Sequence, residues 1–210
     1  MSRYITRKNV PDFKVNGLWV KAFNPEPYVK VTTHAAALFY SVRRRTVGSD
    51  SKVSYYEGTL NLFTDFQSFV EWCQTQIGYC SLDDNGKMFH LDKDVLANGN
   101  GKAYSPETCV FVPVAINNLL QVNRKCTKGL PTGVALTSRG ERYSATIRRG
   151  AMNLSTVYKE FTTPEAAFAF FKIEKEKYVK LVAEHYKGRV DPRVYKALME
   201  YEVKEEQQND

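Results

Sequence analysis

Residues 90–120, from His90 to Leu120, read HLDKDVLANGNGKAYSPETCVFVPVAINNLL. A histidine, an apolar residue and spaced carboxylates open this stretch. A Gly/Asn run and the Ser105-Pro106 turn cross its middle, the β-branched run Cys109–Val112 follows, and a short helical pattern closes it. The order is strand, loop, strand, helix. Side chains alternate along a strand with period two, so His90 and Asp92 share one face. The charged residues here have two readings. His90 and Asp92 are a base and a metal ligand, or Asp92, Lys93 and Asp94 are solvated charges on a strand edge.

Around this stretch the chain is rich enough to fold, with 210 residues, 43% of them apolar and 13% aromatic, enough for one large domain or two small ones. No apolar run reaches the length of a bilayer span, and the opening MSRYITRKNVPDF lacks the apolar centre of a signal peptide. The expected location is the cytoplasm, with no membrane partner. The four cysteines (Cys73, Cys80, Cys109, Cys126) form no C-x-x-C pair, and the three histidines (His34, His90, His185) complete no zinc-finger spacing. Structural zinc is therefore not expected, and the thiols are expected to be reduced. A formal charge of +7 fits a polyanionic partner, but placement of the charges decides more than their sum.

Before the quoted stretch, Met1 to Val31 is broken by Pro11, Pro25 and Pro27 and has no assigned role. Thr32 and Thr33 are candidate caps for a helix over Ala35–Val42 that ends in Arg43-Arg44-Arg45, a placement that suits either the helix dipole or a phosphate. Val53 to Leu62 reads as a strand or turn. Thr64 and Gln67 have capping-box spacing before a helix with Phe66, Phe69, Val70 and Cys73 at helical intervals and Trp72 near the same face, an arrangement of core residues. These elements make a first module over 1–120.

Residues 121–130 are a polar, basic linker. Arg124, Lys125 and Lys128 are either solvated there or track a DNA groove. A second module spans 131–210. Val134–Thr137, Arg142–Arg148 and Ser155–Phe161 alternate like half-buried strands, with turns at Ser138-Arg139-Gly140 and Gly150–Asn153, and predict a three-stranded antiparallel sheet. Thr163 and Pro164 then open a long helix, Glu165 to about Tyr186, with an apolar stripe of Ala166, Ala167, Phe170, Ile173, Tyr178, Leu181 and Val182. Asp191-Pro192 opens a last helix to about Glu202, before a polar tail, Lys204–Asp210. The fold class is α+β.

With Tyr143, Ala145 and Ile147 facing the long helix, period two turns Arg142, Ser144, Thr146 and Arg148 outward. On the neighbouring strand Val134 and Leu136 point inward, leaving Ala135 and Thr137 exposed. The open face is then small, hydroxylated and cationic. Such a sheet fits a major groove, where guanidinium pairs with guanine O6 and N7 and hydroxyls meet several base edges. Arg139 and Arg149, at the turns, suit phosphates. An antiparallel sheet also carries polar residues on its wet side for no reason beyond solvation.

Two resemblances bear on these patterns. The order of residues 90–120, preceded by Phe66, Phe69, Trp72 and Gly78-Tyr79, resembles the ββα-metal fold of phage HNH homing endonucleases. By that resemblance Asp92 holds the position of the family's metal-binding Asp, and Asn117 that of the Asn near the start of the helix. Lys93 stands where the family has its general-base His, and Thr108 where it has the Asn of the turn. An imidazole accepts a proton near its pKa of about 6.5, whereas an ammonium near 10.4 does not.

The segments PTGV (131–134), RYSATI (142–147) and EFTTPEAAFAFF (160–171) resemble the AP2-type DNA-binding domain that is often joined to such nucleases. The family's base-contacting Arg is replaced by Ala135. The resemblances imply a ββα-metal module followed by an AP2-like sheet packed on a long helix. They also imply a sequence-specific double-stranded DNA-binding protein derived from a homing endonuclease of a phage or phage satellite, and with Lys93 and Thr108 in place of the family's residues the cutting site is expected to be lost or crippled and to need no cofactor. A tight binder that does not cut occludes its site, so the expected role is transcriptional repression. The alternative they imply is an active Mg²⁺-dependent endonuclease, with Asp92 and Asn117 on the metal and His90 or Lys93 positioning the water. A third reading is a protein-binding module with basic surfaces. If the protein is a homodimer, a two-fold DNA site follows.

Overall fold

The computed structural model describes residues 13–15, 18–20, 29–47, 56–97, 101–120, 129–138 and 140–205. The chain is α+β and divides into two compact units, Met1–Val114 and Ala115–Asp210.

In the first unit the segment without an assigned role contains a short antiparallel hairpin, β1 (Phe13–Val15) and β2 (Leu18–Val20). Helix α1 (Val29–Thr46) begins before the expected Thr32/Thr33 cap, so both threonines lie inside it, and it runs on through the three arginines. Arg45 is not simply solvated. Its Nη1 donates to the Tyr104 hydroxyl at 3.1 Å, and its guanidinium lies over the Tyr56 ring at 5.3 Å. Of the expected Val53–Leu62 element, residues 53–55 lie outside the described residues. The remainder is a turn closed by Thr59 N–H to Tyr56 C=O and a strand, β3 (Leu60–Asn61).

Helix α2 (Phe66–Thr75) is capped one residue later than its sequence spacing predicts. Asp65 accepts from the Ser68 N–H at 2.8 Å, and Ser68 Oγ accepts from the Asp65 N–H at 3.3 Å. A carboxylate is the stronger acceptor at this helix N-terminus, and that bond lowers the Asp65 pKa. Phe66, Phe69, Val70 and Cys73 are buried as expected.

Strand β4 (His90–Asp92) pairs antiparallel with β6 (Val110–Val112), Leu91 opposite Phe111, while β5 (Ala103–Tyr104) pairs parallel with β3. All of β6 is buried. Its Phe111 ring lies 5.8 Å from Trp72 and 5.2 Å from Tyr79. Full burial of such a side chain contributes about 1.5–3 kcal/mol. Cys73, Cys80 and Cys109 are free thiols, and burial pushes the Cys109 pKa up to about 12.

Helix α3 (Val114–Leu119) starts at the last residue of the first unit and lies otherwise in the second. The second unit contains the antiparallel sheet β7 (Val134–Leu136), β8 (Tyr143–Ile147) and β9 (Val157–Phe161), in that order, with Val134 opposite Ala145 and Ala145 opposite Lys159. Helix α4 (Pro164–His185) packs on the sheet and α5 (Pro192–Met199) packs on α4. The expected start signals are in place, with Thr163 Oγ1 accepting from the Ala166 N–H and Asp191 Oδ1 from the Arg193 N–H.

The apolar stripe of α4 is rotated from the expected one. Ala167, Phe171, Tyr178, Val179, Val182 and Ala183 are buried, while Ala166, Ile173 and Leu181 are exposed. The rotation follows from fit. Gly133, at φ +77°, lies under the Phe171 ring, where an added Cβ would come within 2.4 Å of ring carbons. With Phe171 seated there, helical periodicity carries Ile173 and Leu181 round to the other side.

Two lysines tie α4 to its surroundings. Lys175 Nζ donates to the Leu119 carbonyl at 2.6 Å, satisfying an acceptor at the end of α3. Lys172 and Glu176, paired at 2.6 Å, grip both sides of Val203, whose C=O accepts from Lys172 and whose N–H donates to Glu176. The side chain of Val203 is buried, so the chain is ordered to the edge of the expected polar tail. Residues 206–210 of that tail lie outside the described residues. Among the described residues no helix is long and apolar enough to cross a membrane.

Gly133→Ala must displace Phe171 and strain the backbone. It is expected to lower the stability of the second unit by about 2 kcal/mol in denaturant unfolding. An unchanged midpoint would contradict this packing. Burial lowers the Lys175 pKa from its ordinary 10.5 to about 8. Between those values the unfolded chain binds the extra proton, so this group makes the second unit less stable at and below pH 8 and more stable as pH rises toward 10.5. Melting curves should show this rise in the wild type, and it should be flattened in Lys175→Met.

Candidate nucleic-acid interface

The open face of the β7–β8–β9 sheet follows from what its other face buries. Ala145 (0% exposed) and Ile147 (2%) are enclosed against α4, so Thr146 on β8, with Arg142 just before the strand and Arg148 just after it, projects outward, and all three are exposed. Ser144 departs from expectation. It lies on the outward register but is buried, and its Oγ donates to the Ala135 carbonyl at 3.2 Å. A small side chain at the centre of a sheet is covered by larger neighbours, and Ser144 pairs directly with Glu160.

On β7 only Val134 reaches the core. Leu136, expected inward, is 43% exposed because its strand is at the sheet edge and its partner Tyr143 opens β8. Ala135 is exposed, and Thr137 is half-buried.

Strand β9 adds two residues to the open face that sequence reasoning missed. Tyr158 pairs with Thr146 and Glu160 with Ser144, placing both on the outward register. The Tyr158 hydroxyl donates to Glu160 Oε1 at 2.6 Å, and Arg142 Nε lies 3.5 Å from Glu160 Oε2. Arg142 Nη2 also donates to the Glu160 carbonyl at 3.4 Å. The bond to the carboxylate raises the Tyr158 pKa. The alternation rule applied to β9 as it was to β8 would have found them. The face is therefore cationic and hydroxylated around one carboxylate.

Arg149 turns toward the connection to β9, where its Nε donates to the Ser155 carbonyl at 2.7 Å and its Nη2 to Ser155 Oγ at 3.3 Å. Arg139, Arg124, Lys125 and Lys128 lie outside the described residues.

The charged residues of the quoted stretch form a different kind of cluster in the first unit. Lys93 is 2% exposed. Its ammonium donates to Asp94 Oδ1 at 2.6 Å and to the Gly101 carbonyl at 2.7 Å, and lies 5.7 Å from the centre of the Tyr104 ring. Gly101 permits this closure, since a Cβ there would stand 2.1 Å from the Lys93 carbonyl oxygen. Asp92 Oδ1 accepts from the N–H groups of Asp94 (2.8 Å) and Val95 (2.7 Å), capping the single 3₁₀ turn Val95–Ala97. Burial raises the Asp92 pKa, which those two bonds offset in part.

The oxygens of Asp94 and Gly101 thus surround an ammonium, and Asp92 serves as a cap. One oxygen of Asp92 and one of Asp94 are engaged by the chain's own N–H groups and by the Lys93 ammonium. Asn117 lies on α3 in the second unit, half-buried. Thr108, where the family has Asn, closes its own turn by donating to the Ala103 carbonyl at 2.7 Å and accepting from the Ser105 N–H. His90 is exposed at the start of β4. Burial, with His90 acting in the same direction, lowers the pKa of His34, which stacks on Tyr79.

No family model matches the chain, and neither a curated protein nor a solved structure matches it.

Removing the Lys93 ammonium takes a charged donor from the Asp94 carboxylate and from the Gly101 carbonyl. Lys93→Ala is therefore expected to destabilise the first unit by about 2–3 kcal/mol. A variant as stable as the wild type in denaturant unfolding would mean that the ammonium is not a structural tie.

Proposed function

We propose that the protein is a sequence-specific double-stranded DNA-binding protein in which the open face of the second unit's sheet enters a major groove. The observation that carries this reading is the outward row Arg142, Thr146 and Arg148, fixed by the burial of Ala145 and Ile147 behind it. Guanidinium and hydroxyl groups on a rigid strand are the donors and acceptors that distinguish base edges there. The resemblance to AP2-type domains supports the same face, and the charge of +7 supports the same class of partner.

The first unit is read as a nuclease-like scaffold without a working site, because Lys93 is committed to Asp94 and Gly101. A protein that binds tightly and does not cut occludes its site, so the proposed role is transcriptional repression. The alternative reading, Mg²⁺-dependent cleavage, rests on the exposed imidazole of His90, and cutting abolished by Asp92→Ala would carry it.

Enrichment of random duplexes on the purified protein, followed by competition with bulk DNA at fixed salt, tests the proposal. A preferred sequence that survives the competition is expected. Binding that is equal on all sequences and falls steeply with salt would leave only phosphate attraction. On the enriched site Arg148→Ala should weaken binding by about 1–3 kcal/mol and relax one base preference. An equal loss on every sequence would reduce Arg148 to a phosphate contact. A reporter carrying the enriched site upstream of its gene should fall when the protein is expressed, and an unchanged reporter would remove the repressor role.

A further inference from the structure

We propose that Glu160 is a positioning residue that aims Arg142 at a guanine, with Tyr158 holding Glu160 in place. The proposal rests on the reading of the sheet face as a DNA-binding surface and names what one part of that face recognises.

The sheet face carries a carboxylate where phosphate binding alone would disfavour one. Glu160 is on the outward register of β9, and its side chain is 40% exposed. Next to a duplex it repels the backbone, so it weakens non-specific binding. Its two oxygens are each engaged from within the same face, Oε1 by the Tyr158 hydroxyl at 2.6 Å and Oε2 by Arg142 Nε at 3.5 Å. The same residue's main-chain carbonyl accepts from Arg142 Nη2 at 3.4 Å. One edge of the guanidinium is therefore occupied by a single residue, side chain and main chain together.

Arginine has five N–H donors in a planar fork. With Nε ion-paired to the carboxylate and one Nη2 hydrogen on the carbonyl, Nη1 and the second Nη2 hydrogen remain. They bond nothing among the described residues, and they form the edge that pairs with guanine O6 and N7. A free arginine loses rotamer freedom when it binds, and one already fixed by Glu160 loses less. Tyr158, opposite Thr146 across β8 and β9, fixes the carboxylate in turn. The upward shift of its phenol pKa reflects that bond. Glu160 thus trades non-specific affinity for direction.

The test uses the full-length protein and a panel of duplexes in which each position of the enriched site is varied. Glu160→Ala removes both the charge and the oxygens that hold Arg142, whereas Glu160→Gln removes the charge and keeps an acceptor. Both variants should bind unrelated DNA more tightly, by about threefold. Only Glu160→Ala should lose the guanine preference at one position, by about tenfold, with Glu160→Gln retaining much of it. Tyr158→Phe, which removes only an exposed hydroxyl, should weaken the preference at the same position.

If both Glu160 variants bind every sequence more tightly with all preferences unchanged, Glu160 is only a repulsive charge and the proposal is overturned. If a Glu160 variant unfolds, Tyr158→Phe decides by the same base preference. A wild-type protein with no sequence preference at all would overturn the underlying DNA reading rather than the role of Glu160.

Discussion

Ala145 and Ile147 are buried against α4, and a strand offers only two faces. That constraint settles the outward course of Thr146 and Arg148 without reference to any ligand. It is reinforced from the helix side, where Phe171 sits on a backbone position that only glycine leaves open. A shift of β8 by one residue would bury Thr146 and Arg148 and expose Ala145 and Ile147, so the packing of the core and the composition of the open face are one choice. The proposed base-reading surface is in this sense a consequence of the hydrophobic side of the sheet.

The first unit shows the converse case, in which charged side chains serve structure. Lys93, Asp94 and Gly101 close a loop around one ammonium, and Asp92 caps the turn that follows. Buried charges of this kind are stable only when each hydrogen-bonding group has a partner.

Much of this architecture was legible in the sequence because its signals are local. Thr163-Pro164 and Asp191-Pro192 mark helix starts through bonds to residues two or three positions on, and the alternation of Tyr143 to Ile147 encodes its own faces. Features that depend on distant partners were not legible. The parallel pairing of Leu60 with Ala103 has no local pattern, and Lys93 looks solvated until the chain returns at Gly101. The stripe of α4 was placed to one side of its true face because Ile173 and Leu181 are as apolar as the residues that pack, and only the seat of Phe171 selects among them. Ser144 carried a correct face but not its covering, since Glu160 and Tyr158 come from another strand.

The proposed protein recognises a DNA sequence and leaves it intact. The most direct measurement incubates the purified protein with its enriched duplex in Mg²⁺ and in Mn²⁺ at a concentration that saturates binding, and then examines both strands. Saturable occupancy with full-length strands is expected in either metal. Strands cut at a defined position, with cutting lost in Asp92→Ala, would contradict it and return the Asp92–Lys93 cluster to chemistry.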